Sequence, residues 1–519
     1  MSITKDIART PTKGVDTKRG VLDRYRHLIL SAASGIILAL SMPTPEWWVL
    51  AWVGLVPLFV ALRDATVPRA ALCGLVTGLV YYLVFARWLL LFGALPWVVV
   101  NTFQALFIAL FAILYARFAR MRTSRVGLII VPAAWVAVQF LKTLGAFACP
   151  WGSLAHTQAN CLPVIQIASV TGAWGIDFMI CFVSFAISTA ITDRARSKTP
   201  LVIAASLVLA MLIFGFVSLR EPVVTTGGRR VALLQGNMTS GFHRVPDYLE
   251  VAFSLYSRMT LQAAKTNPDI ILWPETSLPT DITSPNITRD ISKLARQSSS
   301  WLLVGGYDPG DDPALDGFYN SLFVFNKDGE RAGCYHKAQL VPYGEFVPLR
   351  DQMPFLRNYG VRPDDLLASD SHALLDTPIG KLGPSICFES TFSQIARNET
   401  RDGAEVLCVV SNDAWFERSS ATPQHFMMAR LRAVENRRFL LRAASTGVSA
   451  VMDPYGRIRH QLGLFREGII IDRIVPSKTL TLYTRMGDWL AYMCVAVTVI
   501  CLFVPGGASV KPSRKKRGR

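Results

Sequence analysis

The stretch LGPSICFES, residues 382–390, places a cysteine, Cys387, at the end of an apolar run. An isolated cysteine in such a run is most often a small buried residue. It can also be a nucleophile, because reactive residues of layered α/β domains gather where strands end and loops begin. The stretch alone favours the buried residue, and the choice between the two interpretations depends on the rest of the chain.

The pattern of short apolar runs recurs throughout the surrounding region, from residue 221 to residue 485. A turn at Asp328-Gly329 separates two such runs, as in a hairpin. Residues 430–442, RLRAVENRRFLLR, have the spacing of an amphipathic helix. Further runs are RVALLQGN (230–237), DIILWPETSLP (269–279) and AEVLCVVSNDAWF (404–416). Strands that alternate with helical stretches predict an α/β layered domain, and the region is long enough to bury its own core.

Outside this region the chain is far more apolar than a soluble enzyme. The whole sequence of 519 residues is 51% hydrophobic, with a mean hydropathy of +0.33. A bilayer span requires about 20 apolar residues. Eight runs reach or approach this length, at 27–42, 47–63, 70–92, 95–116, 126–147, 163–192, 200–219 and 486–505. We therefore predict seven membrane spans over residues 27–220 and an eighth over residues 486–505.

The positions of the basic residues give the predicted spans an orientation. The formal net charge of +17 could point to nucleic acid. Lysines and arginines, however, collect in the tails 1–26 and 506–519 and in alternate loops, whereas the opposing loops MPTPEWW (42–48) and GALPW (93–97) hold none. By the positive-inside rule both tails face the cytoplasm, and seven spans then place residues 221–485 on the far side. The tails are interpreted as topology signals, and no nucleic-acid partner is expected.

Several residues of the predicted membrane region have more than one interpretation. None of the nine cysteines has the spacing of a zinc site or of a CxxC motif, but a disulfide between Cys149 and Cys161 is one option in an outer loop. Lys142 lies near the end of a span, where it could reach the interface or bind a lipid phosphate. Trp151 could belong to an interfacial aromatic belt or to a functional loop.

Three strand ends carry complementary chemistry. Glu275 follows ILWP, Lys337 follows GCYH and Cys387 follows GPSI. A carboxylate in a dry pocket can take the proton of a thiol, and a nearby ammonium group stabilises both the thiolate and an oxyanion formed on a carbonyl. The set fits acyl transfer, although two surface charges and a core cysteine would give the same spacing. His336 and His425 raise the alternative of Cys–His catalysis, but His336 should point away from Lys337 because neighbouring strand residues alternate.

Longer motifs around these residues resemble the nitrilase superfamily and, more narrowly, the bacterial apolipoprotein N-acyltransferase family. The motifs are LWPETSLP (272–279), HKAQLVPYGEFVP (336–348), ICFES (386–390), NDAWF (412–416) and QHFMMARLRAVENRRFLLRAASTGVSAVMDPYGR (424–457), with CPWGSLAHTQ (149–158) in the membrane part. They occur in the family's order and cover nearly the whole chain. The resemblance implies a nitrilase-like α-β-β-α sandwich at residues 221–485, inserted before the last helix of an eight-helix transmembrane bundle.

The resemblance also implies roles for individual residues. Carried over to this sequence, Glu275 is the general base, Lys337 the oxyanion-stabilising cation and Cys387 the nucleophile. Glu345, in YGEFVP, matches a family glutamate that supports the lysine and the proton transfers. Glu389, in CFES, matches one that helps to shape the site.

Two departures from the family pattern concern the substrate. Phe388 stands where the family commonly has tyrosine, so the ring is kept and the hydroxyl is lost. A tryptophan that the family places shortly after QGN (235–237) is absent, and Phe242 or Arg244 occupies its neighbourhood. Catalysis should survive both changes, whereas substrate preference is less constrained by the resemblance.

The implied activity is transfer of a fatty acyl chain from a phospholipid, through a cysteine thioester, to the N-terminal amine of a diacylated apolipoprotein. The implied location is the bacterial inner membrane, with the catalytic domain in the periplasm and the lipid bilayer as a partner. No metal or organic cofactor is expected. Two alternatives remain: a membrane-tethered nitrilase-type amidohydrolase that uses water as acceptor, and a transporter with a soluble appendage.

One further hypothesis concerns access to the site. Residues 344–366 follow the Lys337 strand and mix apolar side chains, including Phe355 and Leu356, with prolines and charges. A loop of this composition could dip into the interface and admit lipid, or it could be a packed surface loop.

Overall fold

The computed structural model describes residues 16–118, 121, 125–145, 147–192, 198–239, 247–310, 317–348, 350, 365–370 and 372–503. Several predictions concern residues outside these ranges, namely the tail 506–519, most of the N-terminal tail, Phe242, Arg244, Phe355 and Leu356. Those predictions, including lipid entry at the loop 344–366, therefore stay predictions.

Apolar helices make up most of the chain before residue 219. Their bounds are α1 Asp16–Ser41, α2 Ala51–Gly54, α3 Val56–Leu62, α4 Val67–Phe85, α5 Ala94–Arg117, α6 Gly127–Leu141, α7 Leu162–Ile165, α8 Ala168–Thr171, α9 Trp174–Thr192 and α10 Lys198–Ser218. Among the described residues, α4, α5, α9 and α10 are long and apolar enough to cross a membrane. On α10, large apolar side chains such as Val202, Leu209 and Phe216 are exposed, as expected for contact with lipid.

Within the described residues, four of the eight predicted spans contain a helix long and apolar enough to cross a membrane. The spans predicted at 70–92, 95–116, 163–192 and 200–219 each contain one of these four long helices. The other four predicted spans coincide with shorter apolar helical segments, at Tyr25–Ser41, Trp48–Leu62, Gly127–Leu141 and Trp489–Phe503. The chain is thus a membrane protein, while the number of eight spans stays a prediction.

Strands dominate the region between residues 229 and 474. Their bounds are β1 Arg229–Gln235, β2 Ile270–Leu272, β3 Trp301–Asp308, β4 Tyr319–Phe325, β5 Arg331–His336, β6 Leu375–Thr377, β7 Gly380–Ile386, β8 Val406–Ser411, β9 Leu440–Ala444, β10 Ser449–Met452, β11 Ile458–Leu462 and β12 Gly468–Ile474. They form two six-stranded sheets, with the orders β12-β1-β2-β3-β4-β5 and β11-β10-β9-β8-β7-β6. The predicted hairpin turn at Asp328-Gly329 is confirmed, because β4 and β5 pair antiparallel on either side of it.

The two sheets pack face to face, and helices cover their outer faces. The remaining helices are α11 Tyr248–Ala264, α12 Pro285–Ser298, α13 Ser393–Arg401, α14 Ala421–Asn436, α15 Leu482–Met486 and α16 Trp489–Phe503. Aliphatic side chains of both sheets, such as Leu233 and Ile386, form the inner core. α11 and α12 share a core with the outer face of the first sheet, and α13 and α14 share one with the second. The layers run helix, sheet, sheet, helix, so the predicted α/β sandwich is confirmed.

The sandwich and the apolar helices share a continuous core. Side chains of α14, such as Met428 and Leu431, belong to the same buried cluster as residues of α1 to α10. α14 therefore has the second sheet on one side and the membrane helices on the other. This helix therefore connects the sandwich to the membrane part.

The prediction of an amphipathic helix over residues 430–442 is wrong. The helix spans Ala421–Asn436, the chain turns at Arg437 with a φ of 51°, and Leu440–Ala444 is strand β9. Arg432 and Arg442 are buried, and each is paired with a carboxylate. Arg432 lies in an ion pair with Glu435, and Arg442 pairs with Asp413.

Candidate active site

The predicted catalytic residues come together at the ends of strands. β5 ends at His336 and is followed by Lys337, and β7 ends at Ile386 and is followed by Cys387. Glu275 lies three residues beyond the end of β2, directly after Pro274. Although the three residues are far apart in sequence, the packing of the two sheets gathers them into one site. Their individual roles stay predictions.

Lys337 is almost completely buried between two carboxylates. Its Nζ donates to Glu345 Oε1 at 2.8 Å and lies 3.4 Å from Glu275 Oε1. Burial by itself lowers the pKa of the Lys337 ammonium, but the charges of Glu345 and Glu275 outweigh it and hold that pKa above its usual range. Lys337 therefore carries a positive charge beside the carboxylate predicted to act as base.

Cys387 begins a tight turn at the end of β7. Its φ of 53° lies in the left-handed region, which is uncommon for a residue with a side chain, and a 3₁₀ turn continues to Thr391. Burial raises the pKa of the Cys387 thiol, the charge of Glu275 raises it further, and the charge of Lys337 lowers it. The resting group is thus a thiol, and its reaction requires a base in the site.

Glu389 links the Cys387 turn to the segment that follows Lys337. Its Oε1 accepts from Ala338 N at 2.7 Å and from Gln339 N at 3.0 Å, and its Oε2 accepts from Ile386 N at 2.7 Å. The Tyr335 hydroxyl lies 3.0 Å from both oxygens. This carboxylate holds two backbone segments together, in keeping with the shaping role predicted for it.

Phe388, which replaces the family tyrosine, points into apolar surroundings. Its ring packs edge-on against Phe392 at 5.1 Å, and it belongs to the cluster that includes the membrane helices. A hydroxyl at this position would lie near the contact between the sandwich and the membrane part. Phe388 therefore belongs to the apolar contact between the sandwich and the membrane part.

Two asparagines bind the carboxylate of Glu275, and the sequence pattern predicted neither contact. Asn320 Nδ2 donates to Glu275 Oε1 at 2.8 Å and lies 3.3 Å from Glu345 Oε1. The backbone N of Asn412 donates to Glu275 Oε2 at 2.6 Å. Asn412 lies in the motif NDAWF, whereas nothing in the strand around Asn320 distinguishes it from an ordinary strand asparagine.

His425 was considered only as a partner for a Cys–His mechanism. It is 1% exposed, and its Nδ1 lies 3.1 Å from Asp413 Oδ1, which belongs to a carboxylate paired with Arg442. Burial raises the pKa of the Asp413 carboxyl, but the charge of Arg442 and the hydrogen bonds with His425 and Ser411 hold that pKa below its usual range. His425 Nε2 binds the carbonyl oxygen of Cys387 at 2.9 Å.

Two clusters within the described ranges have donor atoms close enough for a metal ion. One is the Cys387, Asp413 and His425 group, whose imidazole already binds protein atoms on both sides. The other consists of Asp308, Cys334 and His336. There Ser321 Oγ binds His336 Nδ1 at 2.8 Å and Gly310 N donates to Asp308 Oδ1 at 2.9 Å. His336 thus contacts Ser321 and Asp308, whereas Lys337 contacts Glu275 and Glu345. The two neighbouring side chains point to opposite sides of the chain, as predicted.

In the membrane part, Lys142 and Trp151 are buried residues that contact other parts of the protein. Lys142 is 2% exposed, and its Nζ donates to the Tyr82 hydroxyl and the Trp151 carbonyl oxygen, both at 2.9 Å. It therefore neither reaches the interface nor presents a free cation to phosphate. Trp151 is buried and stacks near His425 rather than forming an interfacial belt. Cys149 and Cys161 are free thiols, so the optional disulfide is not formed.

Comparison with known proteins identifies both parts of the chain. The carbon-nitrogen hydrolase family model matches residues 230–481, and the apolipoprotein N-acyltransferase N-terminal domain model matches residues 34–186. A solved structure, Saccharomyces cerevisiae Nit3 of the nitrilase superfamily, aligns with 23% identity and a TM-score of 0.39, covering 48% of this chain and 90% of that one.

Two relatives that align over most of this chain carry the same name. The apolipoprotein N-acyltransferase of Geobacter metallireducens is 33% identical over 490 residues, which cover 91% of this chain and 94% of the relative. That of Gloeobacter violaceus is 30% identical over 493 residues, covering 92% of this chain and 93% of the relative. Because the similarity extends through the membrane helices as well as the sandwich, the chain belongs to the apolipoprotein N-acyltransferase family.

Proposed function

We propose that the protein transfers a fatty acyl chain from a phospholipid to the N-terminal amine of a diacylglyceryl-cysteine lipoprotein. The observation that carries this proposal is the position of Cys387 beside the buried Glu275–Lys337 pair. The apolar helices packed under the sandwich favour a lipid as donor, since they hold the site at a bilayer.

The first step forms an acyl-enzyme. Glu275 takes the proton of the Cys387 thiol, and the thiolate sulfur attacks the ester carbonyl carbon of the phospholipid. Lys337 and the backbone N–H after Cys387 stabilise the negative oxygen that forms. The carbon–oxygen bond of the ester then breaks, and Glu275 returns its proton to the leaving alkoxide of the lysophospholipid.

The second step transfers the acyl chain to nitrogen. The free α-amino group of the lipoprotein, with an ordinary pKa of about 8, attacks the thioester carbonyl. A nitrogen–carbon bond forms, the carbon–sulfur bond breaks, and the proton lost by the amine passes through Glu275 to the Cys387 sulfur. Glu345 keeps Lys337 charged and in place through both steps. No step requires a metal or an organic cofactor.

Two other functions were considered from the sequence. An amidohydrolase would use the same three residues with water as acceptor, but the relatives aligned over the whole chain are named N-acyltransferases. A transporter would not need a buried lysine held between two carboxylates beside a thiol. Both observations support acyl transfer over these alternatives.

We further propose a location and a domain arrangement. Residues 27–220 form a seven-span region, residues 221–485 a periplasmic catalytic domain and residues 486–505 an eighth span, with tails 1–26 and 506–519 in the cytoplasm of a bacterial inner membrane. The alternation of basic and uncharged loops supports this orientation.

Mass spectrometry of the purified protein after incubation with phospholipid alone tests the mechanism. The wild type should gain an acyl mass that neutral hydroxylamine releases, as expected for a thioester. Cys387→Ala should gain none, and Cys387→Ser should be nearly inactive because an alkoxide is much harder to generate than a thiolate. Glu275→Gln should slow acylation severely, and Lys337→Ala should slow it by about 10²–10³-fold, as for other oxyanion donors.

Cys334→Ala is the matched control. Cys334 is also partly exposed, but it packs against the outer face of the first sheet, whereas Cys387 packs against the core between the sheets. It should acylate like the wild type. An active enzyme that never acquires the acyl mass, and whose kinetics require both substrates to be bound together, would contradict the thioester scheme.

A further inference from the structure

The carbonyl oxygen of the proposed nucleophile is held by two side-chain donors. His425 Nε2 lies 2.9 Å from Cys387 O, and Ser390 Oγ donates to the same oxygen at 2.8 Å. Ser390 Oγ also lies 2.9 Å from His425 Nε2. Both residues are buried, so bulk water does not compete for this carbonyl.

The contact with the Cys387 carbonyl requires a proton on Nε2 of His425. A carbonyl oxygen can only accept a hydrogen bond, so Nε2 must carry the hydrogen that it donates to Cys387 O. On the other side of the ring, Nδ1 faces Asp413 Oδ1 at 3.1 Å and Arg442 Nη2 at 3.2 Å. The Asp413–Arg442 ion pair thus orients the ring so that Nε2–H points at the Cys387 carbonyl.

The peptide bond between Cys387 and Phe388 couples the orientation of the Cys387 carbonyl to that of the Phe388 N–H, which lies next to the proposed nucleophile. A trans peptide is planar, with its C=O and N–H pointing in opposite directions. Fixing the carbonyl therefore also fixes the N–H of Phe388. The left-handed backbone of Cys387 is sparsely populated, and such a conformation persists only where its surroundings hold it.

We propose that His425 is a positioning residue that aims the Phe388 N–H at the oxyanion formed during acylation of Cys387. The inference rests on the proposed function, because it requires a carbonyl attacked by Cys387. Hydrogen bonds in a chain polarise one another, so donation to the carbonyl also makes the N–H on the same peptide a stronger donor.

The membrane part holds the positioning residue in place. Gln424, the residue before His425, accepts from Trp151 Nε1 at 2.8 Å and from Trp88 Nε1 at 3.2 Å. The Trp151 ring also lies 5.9 Å from the His425 ring, at an angle of 29°. The start of α14 is therefore anchored by tryptophans of the membrane part on one side and contacts the nucleophile on the other.

Two substitutions separate this role from a general structural one. In His425→Gln the amide nitrogen can occupy the position of Nε2, three bonds from Cβ, and still donate to the carbonyl. In His425→Asn the amide reaches only the position of Nδ1. We expect His425→Asn to slow acyl-enzyme formation from phospholipid by about 10²-fold, as for other misplaced catalytic groups, and His425→Gln to recover most of the rate.

Alkylation of Cys387 by iodoacetamide is the second readout, followed by mass spectrometry on the same full-length proteins. Alkylation uses the same thiolate but forms no oxyanion, so His425→Asn should alkylate at the wild-type rate. Ser390→Ala removes the other donor to Cys387 O and should show the same separation with a smaller loss, which keeps the proposal testable if His425→Asn does not fold.

Each outcome has a distinct meaning. Equal losses of acylation and alkylation, no loss of either, or a Gln variant as slow as the Asn variant would each overturn the positioning role. A wild type that alkylates at Cys387 but never acylates would instead overturn the proposed function.

Discussion

Lys337 keeps its positive charge inside the protein because it lies between the carboxylates of Glu275 and Glu345. The contribution of Glu345 can be tested by substitution. Glu345→Gln removes the charge 2.8 Å from Lys337 Nζ but keeps the shape of the side chain. The negative charge of Glu345 raises the pKa of Lys337, so its removal lowers that pKa. Since the ammonium form is required, acylation in the variant should decline at a lower pH on the alkaline side than in the wild type.

The measurement is the pH–rate profile of acyl-enzyme formation. A hydrogen bond to a charged group contributes about 1.5–3 kcal/mol, so the rate at neutral pH should also fall by about tenfold or more. Glu345→Asp is the control that keeps the charge, and its alkaline limb should stay closer to that of the wild type. An unchanged limb in Glu345→Gln would show that Lys337 does not depend on Glu345.

Glu389 offers a test of stability rather than of chemistry. Its oxygens face donors throughout, from Ala338 N, Gln339 N, Ile386 N and the Tyr335 hydroxyl. Glu389→Gln would turn an NH₂ group toward such donors and leave a buried group unsatisfied, which costs about 1–3 kcal/mol.

Thermal unfolding in detergent should therefore show a lower midpoint for Glu389→Gln than for the wild type. Tyr335→Phe removes one hydrogen-bond donor to Glu389 but places no NH₂ group against another donor. Its unfolding midpoint should therefore fall less than that of Glu389→Gln. A Gln variant as stable as the wild type would contradict the linking role of this carboxylate.

β3 runs so close to Glu275, the proposed general base, that only glycine fits at one position of the strand. A Cβ on Gly305 would lie 2.4 Å from Pro274 O and 2.9 Å from Glu275 Cα. These are backbone atoms, so the Glu275 turn itself must move in Gly305→Ala. We expect a loss of stability of about 1–3 kcal/mol, as for other overpacked cores, and acylation slower by about 10²-fold because the base is displaced.

The matched control is Gly463→Ala, because a Cβ added at Gly463 meets no atom within 4 Å. It should match the wild type in unfolding midpoint and in acylation rate. If Gly305→Ala also matches the wild type in both, β3 does not determine the position of Glu275.

The orientation of the protein in the membrane can be measured with a matched pair of introduced cysteines. Asp376 lies in β6 with 82% of its side chain exposed, and Asp64 is exposed in the loop after α3. With residues 221–485 in the periplasm, Asp376→Cys should react with a membrane-impermeant thiol reagent in cells whose outer membrane is permeabilised. Asp64→Cys should react only after lysis, and the parent protein gives the background from native cysteines.

The opposite pattern, with Asp64→Cys labelled in unlysed cells and Asp376→Cys protected, would reverse the proposed topology. Equal labelling of both before lysis would contradict the assignment of their loops to opposite sides of the membrane.

The sequence by itself predicted an α/β layered domain, the apolar helices and three candidate site residues, and the family resemblance added the four layers of the sandwich. Strand patterns and turns such as Asp328-Gly329 depend on neighbouring residues, so a local pattern reports them. Glu275, Lys337 and Cys387 each follow a buried run, and the motifs around them resemble a known family. The structure brings these residues together, as expected for strands whose ends meet in one sandwich.

Only the tertiary structure decided which residues surround Glu275, Lys337 and Cys387. The bounds of α14 could not be predicted because both of its faces are buried, so no polar face marks its orientation. The burial of Lys142, and the contacts of Asn320 and His425, depend on partners far away in the sequence. A buried polar group is stable only where packing brings it a partner, and sequence periodicity carries no information about which distant residue that partner is.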